Sequence, residues 1–141
     1  MKVFKHPLAV IISFIMILIS GKQTGGFYIL YLLLGLPHGG IHSITGILGT
    51  LLLLFGNIKS KQWGGNYISL CLNLLGVLLL WLSLFFFFYN DKGNYNIATF
   101  YQLLPQILLS LFLLISIVFF VHNILLLLKH PKNNYNSSTQ K

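Results

Sequence analysis

All the charge in this chain stands at the ends of apolar runs. Nine lysines, no arginine and a single acid, Asp91, are its only charged side chains. None falls between Leu8 and Ile19, between Phe27 and Phe55, between Tyr67 and Tyr89, or between Ala98 and Leu128. Water-soluble domains carry roughly a quarter of charged residues, against 7% of the 141 residues here. Such a chain cannot cover a surface in water, and a bilayer is its expected solvent. The lysines are dispersed rather than clustered, which excludes a nucleic-acid patch despite a formal net charge of +8. A single cysteine, Cys71, excludes an intrachain disulfide and a cysteine-based zinc motif. One acid excludes paired-carboxylate catalysis and leaves none inside the apolar runs to orient a histidine. There is no P-loop, no HExxH and no GxSxG.

The expected fold class is all-α: an integral membrane helical bundle of about four transmembrane helices. The spans fall at roughly residues 4–20, 35–56, 67–89 and 100–128 and make one domain over 1–128. Residues 129–141 read as a polar tail without apolar anchors, cytoplasmic and disordered. Lys2 and Lys5 ahead of Leu8–Ile19 fit a first span or a signal peptide. Cleavage after Ser20 or Gly21 would put Leu18 or Ile19 where a small residue is wanted, which favours a span.

The stretch from Phe27 to Leu36 is too short to cross alone. Joined to Ile41–Gly56 it is too long for one straight span. It could lie at the interface with Phe27, Tyr28 and Tyr31 as anchors, re-enter the membrane, or extend the second helix through a kink at Pro37. The extended or kinked second helix is the arrangement expected here. Polar loops are expected over 21–26, 56–66 and 90–96. Pro105 belongs to the first turn of the last helix or kinks it. Four spans put Lys2, Lys5, Lys59, Lys61, Lys129, Lys132 and Lys141 on one side, and Lys22 and Lys92 on the other. Lysine excess marks the cytoplasmic side, so both termini are expected there.

Lipid tails give no hydrophobic drive to bring helices together, so small residues and hydrogen bonds must do it. Gly35, Gly39, Ser43, Gly46 and Thr50 recur at helical steps and predict a packing stripe on the second span. Ser69, Asn73, Gly76 and Ser83 do the same on the third, and Gln102, Gln106, Ser110, Ser116 and Asn123 on the fourth. The packing contacts are assigned to Gly35, Gly39, Ser43, Gly46, Thr50, Asn73 and Gly76, whereas Leu53 is expected to tolerate a change of shape.

His38 and His42 stand four apart, so on one helix they would share a face and could grip a metal. The other histidines, His6, His122 and His130, fall at different depths in the four-span topology, and two imidazoles alone leave a site short of ligands. The residues Gly35 to Gly39, GLPHG, resemble the GxPHG signature of the bacterial and archaeal β-carotene dioxygenase family of membrane proteins, whose histidines bind iron. That resemblance implies an iron-binding role for His38. It covers five residues, and where the family has an acid shortly after the motif this chain has Ile41 and His42.

The expected role is that of a structural or accessory partner in a membrane complex of the cell membrane, not an enzyme. Its partners are the lipid bilayer and either a second copy or another membrane protein, with no nucleic acid, metal or cofactor. A small oligomeric transporter or channel subunit is the second reading. A membrane oxygenase-like enzyme with metal on His38 and His42 is the third.

Overall fold

The computed structural model describes residues 6–21, 25–63, 67–90 and 96–136. Expectations resting on Lys2, Lys5, Lys22, Asp91, Lys92 and Lys141, which carry much of the lysine asymmetry, lie outside the described residues.

Three helices are long and apolar enough to cross a membrane. α3 runs Ile41–Trp63, α4 runs Tyr67–Tyr89 and α5 runs Leu103–Asn136. Two of them outrun their expected limits. α3 continues through Trp63 instead of giving way to a loop at Gly56. α5 carries the backbone of the supposedly disordered tail to Asn136. Pro105 is the third residue of α5, in the first turn, where a missing backbone N–H leaves no bond unmade.

The first apolar segment is not one helix. α1 spans Pro7–Ile15, with Pro7 at its start and the His6 Nδ1 accepting from Leu8 N at 3.3 Å. Nine residues make about 14 Å of helix, half a bilayer core. The chain then extends as β1, Leu18–Ser20, and pairs antiparallel with β2, Gly25–Phe27, with Ile19 opposite Gly26. Ile17 and Ile19 are both fully buried. A continued helix would turn these two positions to opposite sides, whereas an extended chain turns both inward. The protein is therefore mostly helical, with one short two-stranded hairpin, and among the described residues three helices have the length to span.

The second apolar segment is likewise divided. α2, Tyr28–Gly35, ends in a helix-stop motif: Gly40 N donates to Gly35 O at 2.9 Å and Gly39 N to Leu36 O at 3.1 Å. Gly39 makes this possible with a φ of +65°. Pro37 cannot donate and so favours the stop. The Gly40 carbonyl then accepts from Ser43 N and Ile44 N, which starts α3. The expected extension or kink at Pro37 is thus a full reversal. α2 folds back along α3, with Leu32 against Gly46.

α3 and α4 pack antiparallel at close range, and α5 lies against α4 and α1. The core holds Phe14, Tyr28, Leu53, Leu80, Phe87 and Phe112 and gathers toward the Tyr89 end of α4. Ser20 N donates to the Thr99 hydroxyl at 3.0 Å, tying the hairpin to the 3-10 turn Ile97–Tyr101 ahead of α5.

Candidate functional site

The polar side chains inside the apolar helices join the elements to one another. Near the Tyr89 end, Ser83 Oγ donates to the His42 carbonyl at 2.6 Å. That uses the one proton of the serine, so Tyr28 supplies the proton to Ser83 Oγ, 2.8 Å away. The tyrosine hydroxyl also lies 3.1 Å from the Ser83 carbonyl. One relay, Tyr28 to Ser83 to His42, therefore binds α2, α4 and α3. An aromatic cluster closes over it. Tyr28, Tyr31 and His42 each set a ring edge-to-face against Phe87 within 5.4 Å, and Phe14 meets both Tyr28 and Phe112. Tyr28 was one of the candidate interfacial anchors; it is instead fully buried, because its hydroxyl finds partners on α4.

A second cluster lies toward the other end. Asn73 Nδ2 donates to Asn123 Oδ1 at 3.1 Å, and Asn123 Nδ2 to the Phe119 carbonyl at 2.8 Å. Ser69 Oγ donates to the Gly56 carbonyl at 2.6 Å. Between the clusters, Trp81 Nε1 donates to Ser116 Oγ at 2.9 Å. Among the described residues, Ser43 Oγ and Asn73 Oδ1 are buried without a hydrogen-bond partner. Both press on glycines: a Cβ on Gly35 would collide with Ser43 Oγ, and one on Gly56 with Asn73 Oδ1. Contacts of this kind are weak Cα–H interactions at best.

The predicted packing residues play different parts. A Cβ at Gly46 would stand 2.7 Å from Ser83 Oγ and 2.8 Å from Leu32 Cδ2, so bulk is excluded there. At Gly76 it would stand 2.8 Å from Leu53 Cγ and 3.0 Å from the Gly49 carbonyl. Gly35 and Ser43 touch across the α2–α3 turn. The half-buried Thr50 bonds within its own helix, to the Gly46 carbonyl at 2.9 Å. Gly39 meets nothing within 4 Å, and backbone conformation alone demands glycine there. Sequence reasoning missed Gly49 and Gly56. The steps from Gly46 through Gly49 and Leu53 to Gly56 trace the seam that α4 occupies, and Leu53, expected to be tolerant, is fully buried on Gly76.

His38 and His42 do not share a helix face. His38 is exposed on the last turn after α2, its Nδ1 3.0 Å from the Leu34 carbonyl. His42 is in α3, where its ring is hydrogen-bonded to the Tyr31 backbone and lies over the Gly35–Gly40 turn. The four-residue relation requires a continuous helix, and Gly39 interrupts it. Among the described residues no group of three or more His, Cys, Asp or Glu side chains could hold a metal ion. No family model, no curated protein and no solved structure matches this chain.

Proposed function

We propose that this chain is a non-enzymatic, multi-pass component of a membrane assembly, an accessory subunit whose work is helix packing. The observation that carries this is the use of its intramembrane polar groups. Tyr28, Ser83, Asn123, Trp81, Ser116 and the amide nitrogen of Asn73 are taken up in bonds between elements of the same chain. The strongest interhelical bonds available in lipid therefore serve architecture.

In the same proposal the segment of residues 6–20 makes a fourth crossing. α1 plus the extended chain to Ser20 reaches up to about 30 Å, the thickness of a hydrocarbon core. Phe14 on Phe112 and Ser20 on Thr99 align it with α5. Extended backbone is tolerated at membrane depth only inside protein, and β1 has its partner strand and buried Ile17 and Ile19. Both termini then share the cytoplasmic face of the cell membrane, with the seven lysines.

Two experiments test it. Reporter fusions at Lys141 and Gly93 are expected to report opposite sides, with Lys141 cytoplasmic; an external Lys141 overturns the topology. Purification from native membranes in mild detergent is expected to retain the chain in an oligomer of fixed stoichiometry. A chain that is monomeric in every mild detergent and in the membrane overturns the accessory role.

A further inference from the structure

The lysines that follow the apolar runs of α3 and α5 come out at one end of the bundle. Ser69 on α4 bonds the Gly56 carbonyl of α3, and Asn73, one turn on, bonds Asn123 of α5. At the other end Ser83 bonds the His42 carbonyl, and Trp81 bonds Ser116. α3 and α5 therefore run the same way past α4, with Gly56 and Asn123 at similar levels. Beyond that level each helix soon meets lysine, Lys59 and Lys61 on α3, Lys129 and Lys132 on α5. Both helices continue through them, α5 for about 12 Å past Leu128. The one acid of the chain, Asp91, follows the opposite end of α4. These lysines thus share an end of the three helices with no aspartate or glutamate to neutralise them.

The helix dipole does not account for the α5 pair. Its field fades within the last turn, and the last turn of α5 holds no basic residue. What precedes the lysines is exposed apolar surface. On α3, Phe55 and Ile58 are exposed, and Lys59 follows Phe55 by four residues. On α5, Leu125 and Leu128 are exposed; Lys129 follows Leu125 by four, and Lys132 follows Leu128 by four. Lys129 is itself exposed. Residues four apart share a helix face, so each face changes from apolar to cationic along the membrane normal. Orientation by charge count requires lysine on one side, but no such alignment with an apolar face. The order is that of a phospholipid, acyl chain first and phosphate after, and the charge is opposite to that of the phosphate.

We propose that this end of the bundle is a binding surface for anionic phospholipids. Acyl chains lie along the Phe55 and Ile58 face of α3 and the Leu125 and Leu128 face of α5, and Lys59, Lys129 and Lys132 meet the headgroup phosphates. A zwitterionic headgroup brings as much positive charge as negative and leaves the lysines uncompensated, whereas a headgroup of net negative charge neutralises them. A soluble anion would match the lysines but makes no use of the apolar face beneath them. The inference rests on the three helices crossing the membrane. It needs neither the accessory role nor a choice of which side is cytoplasmic.

The test uses the full chain reconstituted in phosphatidylcholine vesicles containing a trace of spin-labelled phosphatidylglycerol or spin-labelled phosphatidylcholine. The spectrum separates lipid held at the protein from free lipid and so gives the relative affinity of the two. Phosphatidylglycerol is expected to be preferred about two- to fivefold averaged around the protein, the upper figure being the contribution of one lysine near an anionic surface. Lys59→Gln, Lys129→Gln and Lys132→Gln together are expected to abolish the preference, and the corresponding Lys→Arg changes to keep it. Lys92→Gln, in the sequence beyond the other end of α4, is expected to leave it unchanged. Equal affinity for the two lipids, a preference that survives the triple Gln variant, or an equal fall in Lys92→Gln overturns the proposal. A preference abolished by millimolar inorganic phosphate at constant ionic strength assigns the lysines to the free anion and also overturns it. Extraction of the chain from the vesicles by alkaline carbonate overturns the spanning helices themselves, and the proposal with them.

Discussion

Replacing Gly49 tests a close backbone approach between α3 and α4. A Cβ at this position would stand 2.9 Å from the Gly76 carbonyl oxygen, 3.0 Å from Leu80 Cδ2 and 3.1 Å from Leu79 Cβ. Carbon and carbonyl oxygen sit comfortably at about 3.3–3.6 Å, so α3 and α4 must part by about half an ångström to admit even alanine. Overpacking of this size costs about 1–3 kcal/mol. Alanine recovers about 1 kcal/mol of helix propensity over glycine. The net for Gly49→Ala is then about 0–2 kcal/mol of destabilisation. Gly49→Leu gains no more propensity and inserts three further carbons, so it is expected to lose more. The decisive measurement is coupling. Gly76→Ala meets the Gly49 carbonyl at 3.0 Å from the other side. Once the helices have parted for one alanine, the second needs little more room. The double variant is expected to cost less than the sum of the singles by at least about 0.5 kcal/mol. Helicity followed by circular dichroism through a denaturing-detergent titration gives all four free energies. A stable Gly49→Leu protein, or strict additivity of the two alanines, would refute the close approach.

Gly39→Ala is expected to cost about 1–2 kcal/mol, the penalty for a left-handed residue with a side chain, although nothing crowds its Cβ. Gly39→Asn should cost clearly less, because asparagine adopts that conformation; thermal midpoints in detergent give the order, and equal loss in the two variants would count against the turn. Asn73→Leu leaves Asn123 Oδ1 buried without its donor and is expected to lose about 1–3 kcal/mol, with part recovered when Asn123→Leu is added, as measured by the same titration. Tyr28→Phe is expected to lose about 0.5–1.5 kcal/mol and Ser83→Ala more, since Ser83 bonds both Tyr28 and the His42 carbonyl; the reverse order would dissolve the relay.

Much of the architecture was legible in the chain. Where charge is absent for long stretches, backbone groups in lipid have no partner but one another, and a helix follows. That is why α3, α4 and α5 could be read from composition and the positions of the lysines. Ser83, Asn73 and Asn123 could be read as facing inward, since lipid leaves polar side chains little alternative. Their partners could not, because a hydrogen bond between Tyr28 and Ser83 links residues 55 apart in sequence.

The outcome at Pro37 shows where local information ends. Proline and two glycines fit a kink, a re-entrant turn or a stop equally well. Leu32 settling on Gly46 and Tyr28 reaching Ser83 make the reversal the one that fills space. The same competition decided Ile17–Ser20, whose apolar run reads as helix until two isoleucines must both face the core. It also separated the glycines. Gly39 needs its φ, Gly49 needs a bare surface, and a spacing rule cannot tell these needs apart, because one belongs to the backbone and the other to a neighbouring helix. Sequence by itself determined which stretches avoid water. Tertiary packing decided where they break and which faces meet, because those choices depend on atoms far away along the chain.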